Sequence, residues 1–419
     1  MKLSHIVFAE LCWPLLANAL HIPRTDQSAV SNLTSSAYSN GLSSLEERET
    51  QLDARNSRKK CTLKNLAIRR EYGSLSRDER LDYVNAVLCL QSLPPRTPAN
   101  VSSGARSRFD DFTVVHIQQT LDIHFSGVFP PWHRWFVHSY EKALREECGY
   151  KGYQPYWDWP KYAHAPQDSP IFDGSDTSLG GNGEFIEHEG PVIQSPDGQT
   201  SLQLPPGVGS GNVTTGPFAN MTVNLGPVGG LNNTAPGPDG GLGYNPRSLK
   251  RDVGPALNER YANYSTVLSE SFSSFSLITE LPTDSIPDLL TKPNIQQYRL
   301  LSEGVPYTIE IGPHGGIHYV IGGDPGGDLF TSPADPAFWV HHGQMDRLWT
   351  AWQLLDLSGG RFKEDQMNGG EYGHVTWANE PPSRKARFDD VIDMGYAAES
   401  TTIGEVMSTL DGDLCYLYL

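Results

Sequence analysis

Positive charge is scarce in this 419-residue chain: 32 Lys and Arg stand against 49 Asp and Glu, a formal net charge of -17 with a pI near 5.1. A surface of that sign repels phosphate backbones and anionic lipid, which argues against nucleic acid and membranes as partners and favours small, neutral or weakly charged substrates. Long apolar runs are missing as well. Past the N-terminus no segment offers the ~18 uninterrupted apolar residues of a bilayer-spanning helix. Cysteine is sparse, five in all, and none has the CxxC spacing of a zinc knuckle. No internal repeat is visible. What is present, with 38% hydrophobic residues, is a globular chain able to bury a substantial core in one large domain or two modest ones.

Lys2, the apolar stretch through Leu16 and the small-residue site Ala17-Asn18-Ala19 read as a secretory signal peptide over residues 1–19, so a secreted, extracellular product is expected. Six N-x-S/T sequons, at Asn32, Asn100, Asn212, Asn220, Asn232 and Asn263, agree with that route and imply N-glycans. Residues 20–60 are rich in Ser, Asn and charge and end in Arg58-Lys59-Lys60, a target for a dibasic protease; they read as a propeptide or disordered arm. The domain proper is then 61–419. Its cysteines, Cys61, Cys89, Cys148 and Cys415, favour two disulfides. Of the three possible pairings, Cys61 with Cys415, joining the domain's two ends, and Cys89 with Cys148 is preferred.

Helical periodicity runs from Cys61 to Leu93, with Ser76 as an N-cap and Pro94-Pro95 as a stop. Further helices are expected over Phe112–Ile123, His133–Glu147, Val267–Ile278 and Asp284–Leu290, with Gly127 and Pro130-Pro131 in a connecting loop. Between 161 and 260 the composition turns to Gly, Pro, Asn and Ser, which reads as a loop-rich insertion with short strands at most.

Two clusters of histidine stand out. His116, His124 and His133 lie in HIQQTLDIHFSGVFPPWHR; His314, His318 and His342 lie between Pro313 and Asp346. In Pro313-His314-Gly-Gly-Ile-His318 the i and i+4 spacing puts two imidazoles on one helical face, one turn apart. Gly315 excludes a zinc protease, whose general base is a Glu directly after the first histidine. His342 follows Asp335 and Pro336, an N-cap and a first helical position, while His341 points about 100° away around the helix. Asp346, one turn after His342, is placed to accept a ligand's ring N–H or to pair with Arg347. His138, His164 and His188 read as packed or surface residues. Imidazole suits copper, zinc, iron and nickel, so two three-nitrogen sites point to a transition metal and to redox or oxygen chemistry.

With FPPWHRWFVHSYEKALRE around His133, PYWDW at Pro155–Trp159 and DPAFWVHHGQMDRLW around His342, the chain from Cys61 to Leu419 resembles the tyrosinase and catechol oxidase (polyphenol oxidase) family, in its short secreted fungal form. The resemblance implies a mainly α fold: a four-helix bundle holding a dicopper centre, with long irregular loops and a few short strands. It implies copper bound by His116, His124 and His133, a second copper bound by His314, His318 and His342, and a small phenol and O2 as reactants. Tyr416-Leu417-Tyr418 matches the family's closing Y-x-Y motif, expected near Arg69 or Arg70. A monomer or homodimer is expected.

Two departures bear on activity. Where many relatives have a cysteine cross-linked to the second histidine, this chain has Asp122, so packing and hydrogen bonds alone hold His124. Where many monophenol-hydroxylating relatives have Asn after the fourth histidine, this chain has Gly315. Glu310 matches the family's water-holding carboxylate, and Tyr319 is expected to line the pocket mouth. A base half assembled from Glu310 without the Asn predicts oxidation of o-diphenols to o-quinones with weak or no monophenol hydroxylation. The alternatives are a tailoring oxidase of phenols or o-aminophenols, a tyrosinase with full monophenolase activity, a reversible oxygen carrier, and an inactive structural relative.

Overall fold

The computed structural model describes residues 24–51, 61–194, 199–229, 231, 234–255, 286–356 and 358–419. The signal peptide, the dibasic site, the helix expected over Val267–Ile278, Asn232 and Asn263 lie outside the described residues.

Eight α-helices appear among the described residues: α1 (Arg24–Gln51), α2 (Arg77–Ser92), α3 (Arg108–Ile123), α4 (Phe129–Cys148), α5 (Ile286–Thr291), α6 (Ile295–Glu303), α7 (Pro313–Ile321) and α8 (Ala337–Leu354). Local chemistry accounts for their starts. Ser76 and Glu79 form a reciprocal capping box at α2, and Ser107 with Asp110 does the same at α3. Pro130 and Pro131 fall inside the first turn of α4, not in the loop expected before it; no N–H is required of a residue there, so proline costs nothing. At α8 the carboxylate of Asp335 accepts the Ala337 N–H at 2.8 Å.

Within the stretch expected to be a propeptide or disordered arm, Arg24–Gln51 forms helix α1 and packs on the domain. Ala37, Gly41 and Leu45, spaced by four, form the contact stripe. Ala37 and Leu45 are fully buried, and a Cβ at Gly41 would meet Leu354 at 3.2 Å and Leu417 at 3.3 Å. Asn40 Nδ2 donates to the Leu354 carbonyl at 2.9 Å. A stripe of small residues carries little hydrophobic signal, which is why sequence periodicity missed it.

α3, α4, α7 and α8 surround the histidines. An aromatic wedge fills the space behind them: Trp339 of α8 stacks on Tyr140 of α4 at 3.7 Å between ring centroids, and meets Phe112 of α3 edge-on at 5.4 Å. The strands are short and pair two by two. Ala67–Arg69 runs parallel to Tyr416–Tyr418, and the Cys61–Cys415 disulfide clamps the same two chain ends. Cys89 and Cys148 join α2 to the end of α4. The 161–260 insertion holds antiparallel pairs such as Val192–Gln194 with Ser201–Gln203 and buries Ile171, Phe172, Leu179, Phe218 and Leu249 against the domain. No helix among the described residues is long and apolar enough to cross a membrane.

Candidate metal centre

The six histidines converge. His116 lies on α3 and His124 at its C-cap, His133 on the first turns of α4, His314 and His318 on α7, and His342 on α8. Within each trio the ring nitrogens lie within 4.8 Å of one another, so each set can hold one ion. The trios touch: His133 stacks on His342 with ring centroids 4.7 Å apart, and His124 on His314 at 5.5 Å. His342, not His341, completes the second set. His341 turns away and its Nε2 bonds the His314 carbonyl at 3.0 Å, bracing the helix that carries two ligands.

Four rings are oriented through Nδ1, which reaches a backbone carbonyl: His116 to Phe330 at 2.8 Å, His124 to Thr120 at 2.8 Å, His133 to Phe129 at 2.9 Å and His318 to Gly326 at 3.3 Å. Carbonyls accept only from N–H, so these rings carry their proton on Nδ1 and present a lone pair at Nε2. Nε2 of His116, His133 and His314 is buried with no hydrogen-bond partner among the described residues, and those of His318 and His342 lie 3.3 Å apart. Burial, reinforced for most of them by the neighbouring imidazoles, lowers the pKa of all six, His124 and His318 to about 4. Neutral, inward-facing nitrogens with nothing to accept from fit metal ions.

His124 is held as expected without a cross-link. Asp122 is exposed, and the helix carbonyl of Thr120 orients the ring. His138 stacks on Trp135 outside the centre, and His188 pairs with Asp252 at 2.7 Å in the insertion; His164 is exposed.

Two carboxylates differ from expectation. Asp346 neither touches a ligand histidine nor pairs with Arg347. It receives Arg134 Nε at 2.6 Å, Arg69 Nη1 at 3.3 Å and the hydroxyls of Tyr416 and Tyr418 at 2.7 and 2.6 Å. Arg69, not Arg70, is therefore the Y-x-Y partner, lying 3.6 Å over the Tyr416 ring. Glu310 sits half-buried on the turn before α7, its backbone bonded to Thr308 and Val305, and its carboxylate makes no bond to the centre. The carboxylate buried beside the ligands is Glu303, the last residue of α6. Its Oε2 accepts the N–H of Phe125, next to His124, at 2.7 Å, and Oε1 is buried without a hydrogen-bond partner among the described residues. Burial, only partly offset by Arg299, pushes it up to about 8.

Gly315, His318 and Tyr319 are partly exposed while the other ligands are buried, so the centre opens on this side. A Cβ at Gly315 would meet only Ile311 Cβ, at 3.9 Å. Tyr319 packs half-buried against the core. Trp377, which no spacing pattern marked, lies with its ring 6.2 Å from His124 and 4.7 Å from Phe125.

Comparison with known proteins agrees with this geometry. Residues 106–355 match the family model for the common central domain of tyrosinase. The chain is 40% identical over 353 residues to Tyrosinase P of Aspergillus terreus, covering 84% of this chain and 91% of that one. It is 36% identical over 370 residues to N-acetyl-6-hydroxytryptophan oxidase of Emericella nidulans, covering 85% and 93%. Among solved structures it matches a glycine-to-asparagine mutant of a polyphenol oxidase from Thermothelomyces thermophila, with a TM-score of 0.85 and 62% identity over 94% of this chain and 98% of that one.

Proposed function

The chain belongs to the tyrosinase family, and from that premise we propose that it uses two copper ions and O2 to oxidise o-diphenols to o-quinones, with weak hydroxylation of monophenols. Each catechol gives up two electrons and two protons, and O2 is reduced to water. The coppers supply the redox chemistry; the chain supplies geometry and protons.

The observation that carries this reading is the bare Gly315 beside His314, in a centre whose buried carboxylate is Glu303. A catechol acidifies readily and has two oxygens to offer the metals. A monophenol must first lose its proton to a positioned base. Once ionised, Glu303 can take that proton at Oε1, but Gly315 has no side chain to share a bridging water with it, so monophenol deprotonation is the handicapped step. The rings of Phe125 and Trp377 beside His124, and Tyr319 directly after His318, supply apolar surface for a phenol. Copper quantification with a panel of tyrosol, catechol and o-aminophenol on purified protein tests the reading. A tyrosol rate equal to the catechol rate would refute it.

A second reading keeps the coppers and changes the phenol: a tailoring oxidase acting on a substituted phenol or o-aminophenol. The relative named for N-acetyl-6-hydroxytryptophan supports it, and the same panel separates the two. Secretion belongs to the same proposal; the two disulfides and the exposed sequons at Asn100, Asn212 and Asn220 support it.

A further inference from the structure

We propose that His342 is oriented by an internal water, held in a small cavity between α4, α6 and α8. The proposal rests on the dicopper reading for its function, though not for its geometry. Nδ1 of His342 is buried and has no hydrogen-bond partner among the described residues, whereas four of the other five ligands place Nδ1 on a backbone carbonyl. Asp346, one turn along α8, is already committed: Oδ1 to Arg134, Oδ2 to Arg69, Tyr416 and Tyr418.

A cavity borders His342 together with Tyr298, Ser302 and Trp349. Each of these three has its own buried polar atom without a hydrogen-bond partner among the described residues: the Tyr298 hydroxyl, Ser302 Oγ and Trp349 Nε1. The centre of a water molecule can sweep about 20 Å³ of this space. Roughly 10–15 Å³ by that measure suffices for one water, given two to four polar partners.

The hydrogen-bond inventory closes on a single molecule. Trp349 Nε1 is a donor only, and His342 must donate from Nδ1 if Nε2 is to face a metal. The two hydroxyls can accept. A water that accepts from His342 and Trp349 and donates to Tyr298 and Ser302 satisfies four buried groups with its own four bonds. It fixes the proton of His342 on Nδ1 and ties α8 to α6, where the residue after Ser302 is Glu303. Ser302 and Tyr298 are in this account positioning residues for the second metal site.

The test is a crystal structure of the copper-loaded protein at a resolution that shows ordered solvent, combined with chelator competition on Ser302→Ala and Tyr298→Phe. One solvent peak within hydrogen-bond reach of His342 Nδ1 is expected. Each variant is expected to weaken one of two copper-binding steps on the order of 10–100-fold and leave the other in place. Thr97→Val, which removes a buried hydroxyl remote from the cavity, is expected to leave both steps unchanged. Tyr298→Phe keeps the ring's packing, so a selective loss there is not a folding defect. Two coppers per chain with no solvent peak, or both variants binding copper as the parent does, would overturn the water. A solvent peak in protein that binds fewer than two coppers would support the water and overturn the dicopper reading.

Discussion

His133 and His342, contributed by different trios and by helices more than 180 residues apart in sequence, stack with their ring planes only 18° from parallel. This contact makes two three-nitrogen sites into one centre. Ions held by the two trios would be neighbours, whereas the same trios on distant faces would be two unrelated sites.

Gly315→Asn is expected to raise the ratio of tyrosol to catechol turnover by roughly tenfold, or about 1.4 kcal/mol of relative barrier. The new side chain has room, since its Cβ meets only Ile311 at 3.9 Å. Rates on both substrates with one enzyme stock read it directly.

Glu303→Gln is expected to cut tyrosol hydroxylation by about 10²-fold or more and catechol oxidation less. It carries a stability signature in the metal-free protein. Burial, ahead of the opposing Arg299, raises the folded pKa to about 8 from an ordinary 4.5. The protonated form therefore stabilises the fold fully below about 4.5, and that contribution is lost as pH rises through about 8. Urea midpoints at pH 5 and pH 8 should fall less between the two for the variant than for the parent.

Asp346→Asn is expected to cost about 3–5 kcal/mol, because it leaves Arg134 and part of Arg69 buried beside a neutral group. Burial would raise the pKa of Asp346, but the two guanidinium groups more than offset that and hold it below 3.8. Its stabilisation is thus present above 3.8 and lost as pH falls below it. Denaturation curves of parent and variant should differ widely at pH 6 and draw together in acid.

Replacing Cys61 and Cys415 together by serine is expected to cost about 2–5 kcal/mol, since this link closes a loop of 354 residues. The loss should appear as a lower unfolding midpoint, with the far-ultraviolet helical signal kept in the folded baseline.

Legibility followed distance along the chain. The i and i+4 pair His314 and His318, the cap at Ser76 and the choice of His342 over His341 all depend on helical geometry within a few residues, and the structure has each; at α8 the N-cap is Pro336 and not the expected Asp335, whose carboxylate still accepts the Ala337 N–H. The disulfide pairing was one of three possibilities, and the parallel strands Ala67–Arg69 and Tyr416–Tyr418 bring its ends together. Glu310 was expected near the centre from its match to the family's water-holding carboxylate, and its hydrogen bonds to Thr308 and Val305 are made by its backbone. The turn Gly304–Ile311 swings Glu310 aside and brings the end of α6 to the backbone of Phe125 instead. Trp377 was invisible because its neighbour His124 is far away in sequence.

The amino-acid sequence alone determined the two histidine trios, the helices that carry them and the bare glycine after His314, because residue type and short-range periodicity are written in the chain itself. Only the tertiary structure decided which carboxylate stands beside His124, where Asp346 spends its hydrogen bonds and that Arg24–Gln51 packs as a helix. Those outcomes depend on the burial and hydrogen-bond satisfaction of groups brought together from remote segments, and no local pattern encodes which remote partner arrives.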